Sequence, residues 1–254
     1  MKIVILGCGT STGVPVIGCK CGICLSSEAG NKRTRSSVFV HANDRNILID
    51  TSTDLRQQAL AHNINRVDAV LYTHPHADHI HGIDELRAFN MIQEGAIPCY
   101  GSKETIKRVK NMFDYIFSED IYGGWKPNIE ISEIKSPFKL FGIDVIPVDI
   151  RHGKSTIFGF RLNNFAYITD CSGIPEPSLE HLKGLDLLII GALRHKPHPS
   201  HFTIKEAVDA SKKINPKRTI LTHLSHNVDY IKDSTGLPSG IELAYDGMEI
   251  QLGD

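Results

Sequence analysis

Short apolar runs separated by polar or glycine-bearing loops dominate the first part of the chain. KIVIL at 2–6, SSVFV at 36–40, NILID at 46–50 and AVLYT at 69–73 have the length and β-branched content of strands, and a helical stretch from Thr53 to His62 lies between the last two. Residues 81–115 read as mainly helical, with Leu86, Phe89, Ile106, Val109 and Phe113 at roughly helical spacing. The pattern then returns to β over 129–170, and YITD at 167–170, LDLLII at 185–190 and RTILT at 218–222 read as buried strands that end in polar residues. A helix is predicted over 203–214: Thr203 is a fitting N-cap with Glu206 three residues on, and Pro216 stops it. Two halves, each a sheet with helices outside, predict an α/β fold of four layers, an αββα sandwich, with residues 1–254 as one domain. The stretch 102–127 reads as ordinary helix and loop, with room for a short insertion.

Composition changes this picture little. The 41% hydrophobic and 22% charged residues of the 254-residue chain are close to the globular average. Lys plus Arg is 28 against 29 for Asp plus Glu, a formal net charge of -1, so no whole-chain field draws it to nucleic acid. That makes nucleic acid the less favoured partner beside a small molecule, and a homodimer stays open. MKIVILGCG is too short an apolar start for a signal peptide, and no run reaches the length of a membrane span. The expected location is cytoplasmic, where six cysteines are thiols or metal ligands rather than a disulfide framework.

The thirteen histidines matter through their grouping. His74, His76, Asp78 and His79 fall within six residues just after an apolar strand, where one tight loop turns all four towards a point. Neutral imidazole with carboxylate suits divalent zinc, manganese or iron. Four ligands from one loop cannot fill two coordination spheres, and the sequence supplies more at later strand ends: His152 after VIPVDI, Asp170 at the end of AYITD, and His223 after RTILT. Each alone is a commonplace strand-end residue; together they predict a dinuclear site.

The order HxHxDH, His, Asp, His resembles that of the metallo-β-lactamase superfamily, and Asp50 in ILID matches its first motif. Carried over, the resemblance implies that His74, His76 and His152 bind one metal, Asp78, His79 and His223 the other, that Asp170 bridges them and that Asp50 supports them from behind. It implies the αββα sandwich as well. Two metals a few ångströms apart, manganese or zinc, hold a bridging hydroxide and stabilise both oxygens of an in-line displacement, which points to phosphodiester hydrolysis.

GCKCGIC packs Cys19, Cys21 and Cys24 into six positions, and His226, three residues after His223, is the candidate fourth ligand of a closed structural zinc site. Free thiols in a loop are the alternative. Cys8, Cys99 and Cys171 sit among apolar residues and read as buried thiols. With the cysteines, the runs GCGTSTGVPVIGCKCGIC, RTRSS, THPHADH, ITDCSG, THLSH and LPSGIELAYDGMEI resemble the PhnP-type phosphodiesterases of the carbon-phosphorus lyase pathway over nearly the whole chain. That resemblance implies hydrolysis of cyclic phosphodiesters, such as phosphoribosyl cyclic phosphate or cyclic nucleotides, and a structural zinc held by the cysteines and the late histidine.

His201 aligns with the general acid or base of that family, so His201 and Asp78 are the catalytic candidates. His81 reads as a supporting residue behind the metals. His195, His198, Arg35 and Arg194 have no assigned role, and no organic cofactor is expected. The alternatives are a nuclease similar to ribonuclease Z, a thioester hydrolase of glyoxalase II type, and a metal-binding module without turnover.

Overall fold

The computed structural model describes residues 1–118 and 125–253, so residues 119–124 of the stretch 102–127 lie outside it. The first sheet collects β1 (Lys2–Gly7), β2 (Ser37–Ala42), β3 (Arg45–Ile49), β4 (Ala69–Leu71), β5 (Ile97–Gly101) and β6 (Ile129–Glu133). The second collects β7 (Phe138–Leu140), β8 (Ile143–His152), β9 (Ser155–Leu162), β10 (Phe165–Ile168), β11 (Leu187–Gly191), β12 (Arg218–Thr222) and β13 (Ile241–Leu243). The chain then returns to the first sheet, where β14 (Met248–Gln251) pairs antiparallel with β1.

Strand order is β14-β1-β2-β3-β4-β5-β6 in one sheet and β13-β12-β11-β10-β9-β8-β7 in the other. Each sheet is antiparallel over β1 to β3 and β7 to β10 and parallel over β3 to β6 and β10 to β13, where a helix lies between each pair of successive strands.

Alternation along the strands builds three cores. Ile3, Ile5, Ile47, Ile49, Ala69 and Leu71 of the first sheet meet Val145, Phe160, Phe165, Tyr167, Leu187 and Ile189 of the second in the layer between them. Their neighbours in sequence point the other way. Val4, Leu6, Leu48 and Val70 pack against Leu55, Leu86, Phe89 and Val109 from helices Leu55–Ala61, Leu86–Asn90 and Lys103–Met112. Ile168, Leu188, Ile190 and Leu221 pack against Ile204, Ala207 and Val208 of helix Ile204–Ile214. Strands covered on both faces explain why these runs are almost continuously apolar. The αββα sandwich expected from the sequence is what forms.

Helix Ile204–Ile214 has the predicted cap: Thr203 Oγ1 accepts from the Glu206 N–H at 3.1 Å, and Glu206 accepts from the Thr203 N–H at 2.8 Å. The stretch 81–115 departs from expectation. A short 3-10 turn and helix Leu86–Asn90 are followed by strand β5, IPCYG, before helix Lys103–Met112 begins. Apolar residues on two separate helices mimicked one helical period, and the turn before β5 is marked only by Gly95 at φ 89°.

Candidate active site

Three strand ends deliver the central side chains. β3 is followed by Asp50 (φ 64°), β10 leads through Thr169 to Asp170 (φ 50°), and β12 is followed by His223 (φ 59°). Three non-glycine residues in the left-handed region, each costing roughly 1–3 kcal/mol, mark places where surrounding contacts impose the backbone. The loop after β4 brings in Thr73, His74 and His76, and Ala77–Ile80 forms one helical turn carrying Asp78 and His79.

Two sets of four residues result, each with its donor atoms within 4.8 Å of one another: His74, His76, His152 and Asp170, and Asp78, His79, Asp170 and His223. Asp170 belongs to both. Its Oδ2 lies 3.6 Å from His74 Nε2 and 4.0 Å from His152 Nε2, while its Oδ1 lies 3.4 Å from His79 Nε2 and 3.1 Å from His223 Nδ1. The carboxylate thus turns one oxygen to each set. All of these residues except His76 are buried.

Asp78 Oδ2 and His79 Nε2 are buried with no hydrogen-bond partner among the described residues, and they face each other at 3.3 Å. Orphaned buried acceptors are costly, and a cation shared by both removes that cost. The donor set is nitrogen and carboxylate oxygen throughout, so the residues fit divalent zinc, manganese or iron.

The hydrogen bonds behind the donors fix which ring nitrogen faces inward. His79 Nδ1 donates to Asp50 Oδ2 at 2.7 Å, and His152 Nδ1 donates to the Ser200 carbonyl at 2.9 Å, leaving each Nε2 free. His74 Nδ1 meets Thr73 Oγ1 at 3.0 Å, and that hydroxyl donates to Asp50 Oδ2 at 2.7 Å. His223 is held by Thr10 Oγ1 at 3.1 Å and Ser36 Oγ at 3.2 Å. Burial raises Asp50, with His79 opposing; burial also raises Asp170, but His223 and His79 outweigh it and hold that carboxyl well below the usual range. His74 is pushed down, by burial first and by the neighbouring His79 next.

His201 stands outside both sets. Its Nδ1 is 4.0 Å from Asp170 Oδ2, and its ring stacks on His223 with centroids 5.0 Å apart and meets His152 edge-on at 4.8 Å. Burial lowers it to about 3. His198 lies 4.9 Å from His201, whereas His195 pairs with Asp233 at 3.2 Å, away from the donors. Arg35 is engaged by Asp54, and Arg194 by the carbonyls of Lys196 and Pro197. His81 is exposed and packs edge-on against Phe113, so the supporting role expected for it is not where the structure places it.

The donors open into a cleft of about 510 Å³. His74, His76 and His152 reach it from the side of the donor sets, Ser155 and Thr156 from the start of β9, and Glu104, Arg108 and Met112 from helix Lys103–Met112. No motif or spacing in the sequence singles out that helix.

Beside this centre, Cys19, Cys21, Cys24 and His226 have their donors within 4.8 Å of one another, with His226 Nδ1 3.4, 3.7 and 3.6 Å from the three sulfurs. Three thiols and an imidazole fit zinc of the closed kind. Cys21 also caps the turn Gly22–Leu25, and the Cys24 N–H on its sulfur leads the effects that lower its thiol to about 6. Thr10, Ser36, Thr73 and Ser200 are the contributors that sequence reasoning missed. Thr73 beside HPH, Thr10 in GCGTST, Ser36 in RTRSS and Ser200 in HPSH carry no spacing that sets them apart from other hydroxyl residues.

A family model described as "Beta-lactamase superfamily domain" matches residues 45–224. A protein of Porphyromonas gingivalis named octanoyltransferase is 39% identical over 254 residues, covering 98% of this chain and 51% of that protein. The chain therefore spans about half the length of that relative. A crystal structure described as a new diphosphatase from the PhnP family superposes with a TM-score of 0.93 at 41% identity, covering 99% of this chain and 98% of the other. Zinc-bound PqqB from Methylobacterium extorquens shares the fold, with a TM-score of 0.77 at 21% identity over 99% and 100% of the two chains. Among the described residues, no helix is long and apolar enough to cross a membrane.

Proposed function

This chain belongs to the beta-lactamase superfamily and resembles a PhnP-family diphosphatase along its length; from that premise we propose that it is a metal-dependent hydrolase of phosphodiester bonds. The observation that carries the proposal is Asp170, whose two carboxylate oxygens each face a separate set of His and Asp donors. In this reading His74, His76, His152 and Asp170 hold one divalent ion, and Asp78, His79, Asp170 and His223 the other. Zinc or manganese suits both places. Two such ions supply Lewis acidity that activates a water and neutralises charge on the phosphoryl oxygens.

The chain's own residues do the rest. Asp50, Thr73 and Ser200 fix the ring orientations, so the donors are preorganised before substrate arrives. His201, beside the donors without belonging to either set, is placed to hand a proton to the departing alkoxide. An anionic phosphoryl group bound beside its ring opposes the effect of burial and favours the protonated imidazole. Cys19, Cys21, Cys24 and His226 take a structural zinc, which fits a chain kept in a reducing compartment such as the cytoplasm.

The test is turnover of three probes by the metal-loaded protein: bis(para-nitrophenyl) phosphate, para-nitrophenyl phosphate and an acyl thioester. Preferred cleavage of the diester is expected. A preference for the thioester overturns the proposal in favour of acyl chemistry, and metal binding with turnover of none leaves a binding module.

A further inference from the structure

Arg33, the first residue of RTRSS, is 2% exposed, although its guanidinium is always charged. No carboxylate meets it at ion-pair distance among the described residues. Its partners are all neutral oxygens. Nε donates to the Gly30 carbonyl at 2.8 Å and Nη1 to the Ser225 carbonyl at 2.9 Å, while Nη2 donates to the Val228 carbonyl at 2.9 Å and to Asn31 Oδ1 at 3.1 Å. A charge taken out of water without a counter-ion is a poor source of stability, and an apolar side chain of similar volume fills such a place at less cost. What an apolar side chain cannot do is hold four acceptors in the fixed geometry of a planar fork.

The position of those acceptors gives the fork its task. Ser225 and Val228 lie on either side of His226, in the segment that begins at His223. Gly30 and Asn31 belong to the short turn Ala29–Asn31, and Asn31 Oδ1 also accepts the Tyr230 N–H at 2.9 Å. The Arg33 main chain faces the other way. Its N–H donates to the Val14 carbonyl and its carbonyl accepts the Val14 N–H, both at 2.8 Å, at the start of the loop that leads to Cys19. One residue therefore clips the cysteine loop with its backbone and the histidine segment with its side chain. Its neighbours extend the same layer: the Gly9 N–H donates to the Thr34 carbonyl at 2.8 Å, and the Thr10 N–H to the Leu224 carbonyl at 3.2 Å.

We propose that Arg33 is a positioning residue whose fork sets His223 and His226 in register, so that one imidazole meets Asp78, His79 and Asp170 while the other meets the three cysteines. This rests on the metal-binding part of the reading above and is independent of which bond is cleaved.

The experiment compares wild type, Arg33→Met, Arg33→Lys and, as a control, Val67→Ala. Val67 is buried behind the first sheet with Leu48, Leu86 and Phe89, so its truncation removes stability without touching residues 223–228. Each protein is titrated with cadmium(II) against a chelator, and cadmium-113 resonances separate an ion held by sulfur from ions held by nitrogen and oxygen. In Arg33→Met the affinity is expected to fall about 10- to 100-fold for the sulfur-bound ion and for one of the other two, the usual cost of a lost support, with the third changed least and Arg33→Lys in between. An even loss over all three ions, as in Val67→Ala of equal Tm, overturns the proposal, and so does wild-type affinity in Arg33→Met. If Arg33→Met does not fold, Arg33→Lys decides by the same pattern. If the wild type binds no cadmium through nitrogen and oxygen, the metal reading of that centre fails by itself, and hydrogen exchange of the metal-free proteins tests Arg33. Faster exchange of amides 223–228 in Arg33→Met than in Val67→Ala then upholds the clip, and equal exchange overturns it.

Discussion

Asp50 Oδ2 lies 2.7 Å from His79 Nδ1, and the same oxygen takes the Thr73 hydroxyl at 2.7 Å. Because Thr73 Oγ1 is in turn 3.0 Å from His74 Nδ1, one buried carboxylate braces a donor in each of the two sets. The other oxygen, Oδ1, accepts the Thr73 N–H at 2.8 Å, which ties the loop after β4 to the end of β3. An asparagine has nearly the same volume but only one acceptor oxygen. Asp50→Asn is therefore expected to weaken divalent-ion binding about 10- to 100-fold, the usual cost of losing such a support, while the far-ultraviolet dichroism stays that of the wild type. Competition against a coloured chelator measures it. Wild-type affinity in the variant would show that His74 and His79 are held by packing alone.

His201 gives a prediction with the opposite signature. It touches the rings of His152 and His223 but belongs to neither donor set. His201→Ala should lower turnover of a diester with an alkoxide leaving group, such as a cyclic nucleotide, about 100- to 10,000-fold, the range for a lost general acid, with metal content unchanged by elemental analysis. A smaller loss on bis(para-nitrophenyl) phosphate, whose nitrophenolate leaves without a proton, would support the assignment further. Equal turnover in the variant, or a metal content that drops with activity, sinks the role.

Much of this was legible in sequence because its signals are local. His74, His76, Asp78 and His79 come from one loop, and Cys19, Cys21 and Cys24 from another, so spacing alone foretold their meeting. His152, Asp170 and His223 were readable from a second regularity, polar residues at the ends of apolar strands. What escaped depends on contacts between distant segments. β5 was hidden because its five residues sit between two helices and include Pro98. Thr10 and Ser36 reach His223 from more than 180 positions away in sequence, a relation that no spacing encodes. Arg108 looked like any surface arginine until the fold set its helix beside the His74 and His76 loop.

The cysteine cluster is coupled to the active site through chain connectivity. His226 is three residues beyond His223, and the segment between them is pinned by the Leu224 N–H on the Cys8 carbonyl at 2.8 Å and by Arg33 Nη1 on the Ser225 carbonyl at 2.9 Å. A cation held by Cys19, Cys21, Cys24 and His226 fastens one end of that segment. Cys21→Ser should cost one bound metal and at least about 4 °C in Tm, since each kcal/mol moves a chain of this size by about 2–4 °C. The set containing His223 should lose affinity more than the set containing His76. Loss of the cysteine-bound metal with both other sites intact would limit the cluster to a local staple.

Asp68 carries the pH prediction, away from any metal donor. Its carboxylate is almost fully buried, and Oδ1 accepts from Arg66 Nη2 at 2.7 Å and Arg45 Nη1 at 3.2 Å while Oδ2 accepts the Asn46 N–H at 2.9 Å. Burial alone would raise its pKa, but the Arg66 and Asn46 hydrogen bonds outweigh it and the pKa is lowered. A carboxyl whose folded pKa lies below its unfolded value, near 3.9, contributes stability that is present above that value and lost as pH falls through the folded one. Asp68→Asn should therefore be less stable than wild type by about 1–2 kcal/mol at neutral pH, the weight of charge-assisted bonds whose arginine partners are half in water. The gap between the two proteins should close as pH drops below about 4. Taking the difference cancels acid release of metals, which affects both proteins alike. Denaturant midpoints between pH 7 and pH 3 measure the gap, and a difference that stays constant across that range would show that the Asp68 charge contributes nothing to the fold.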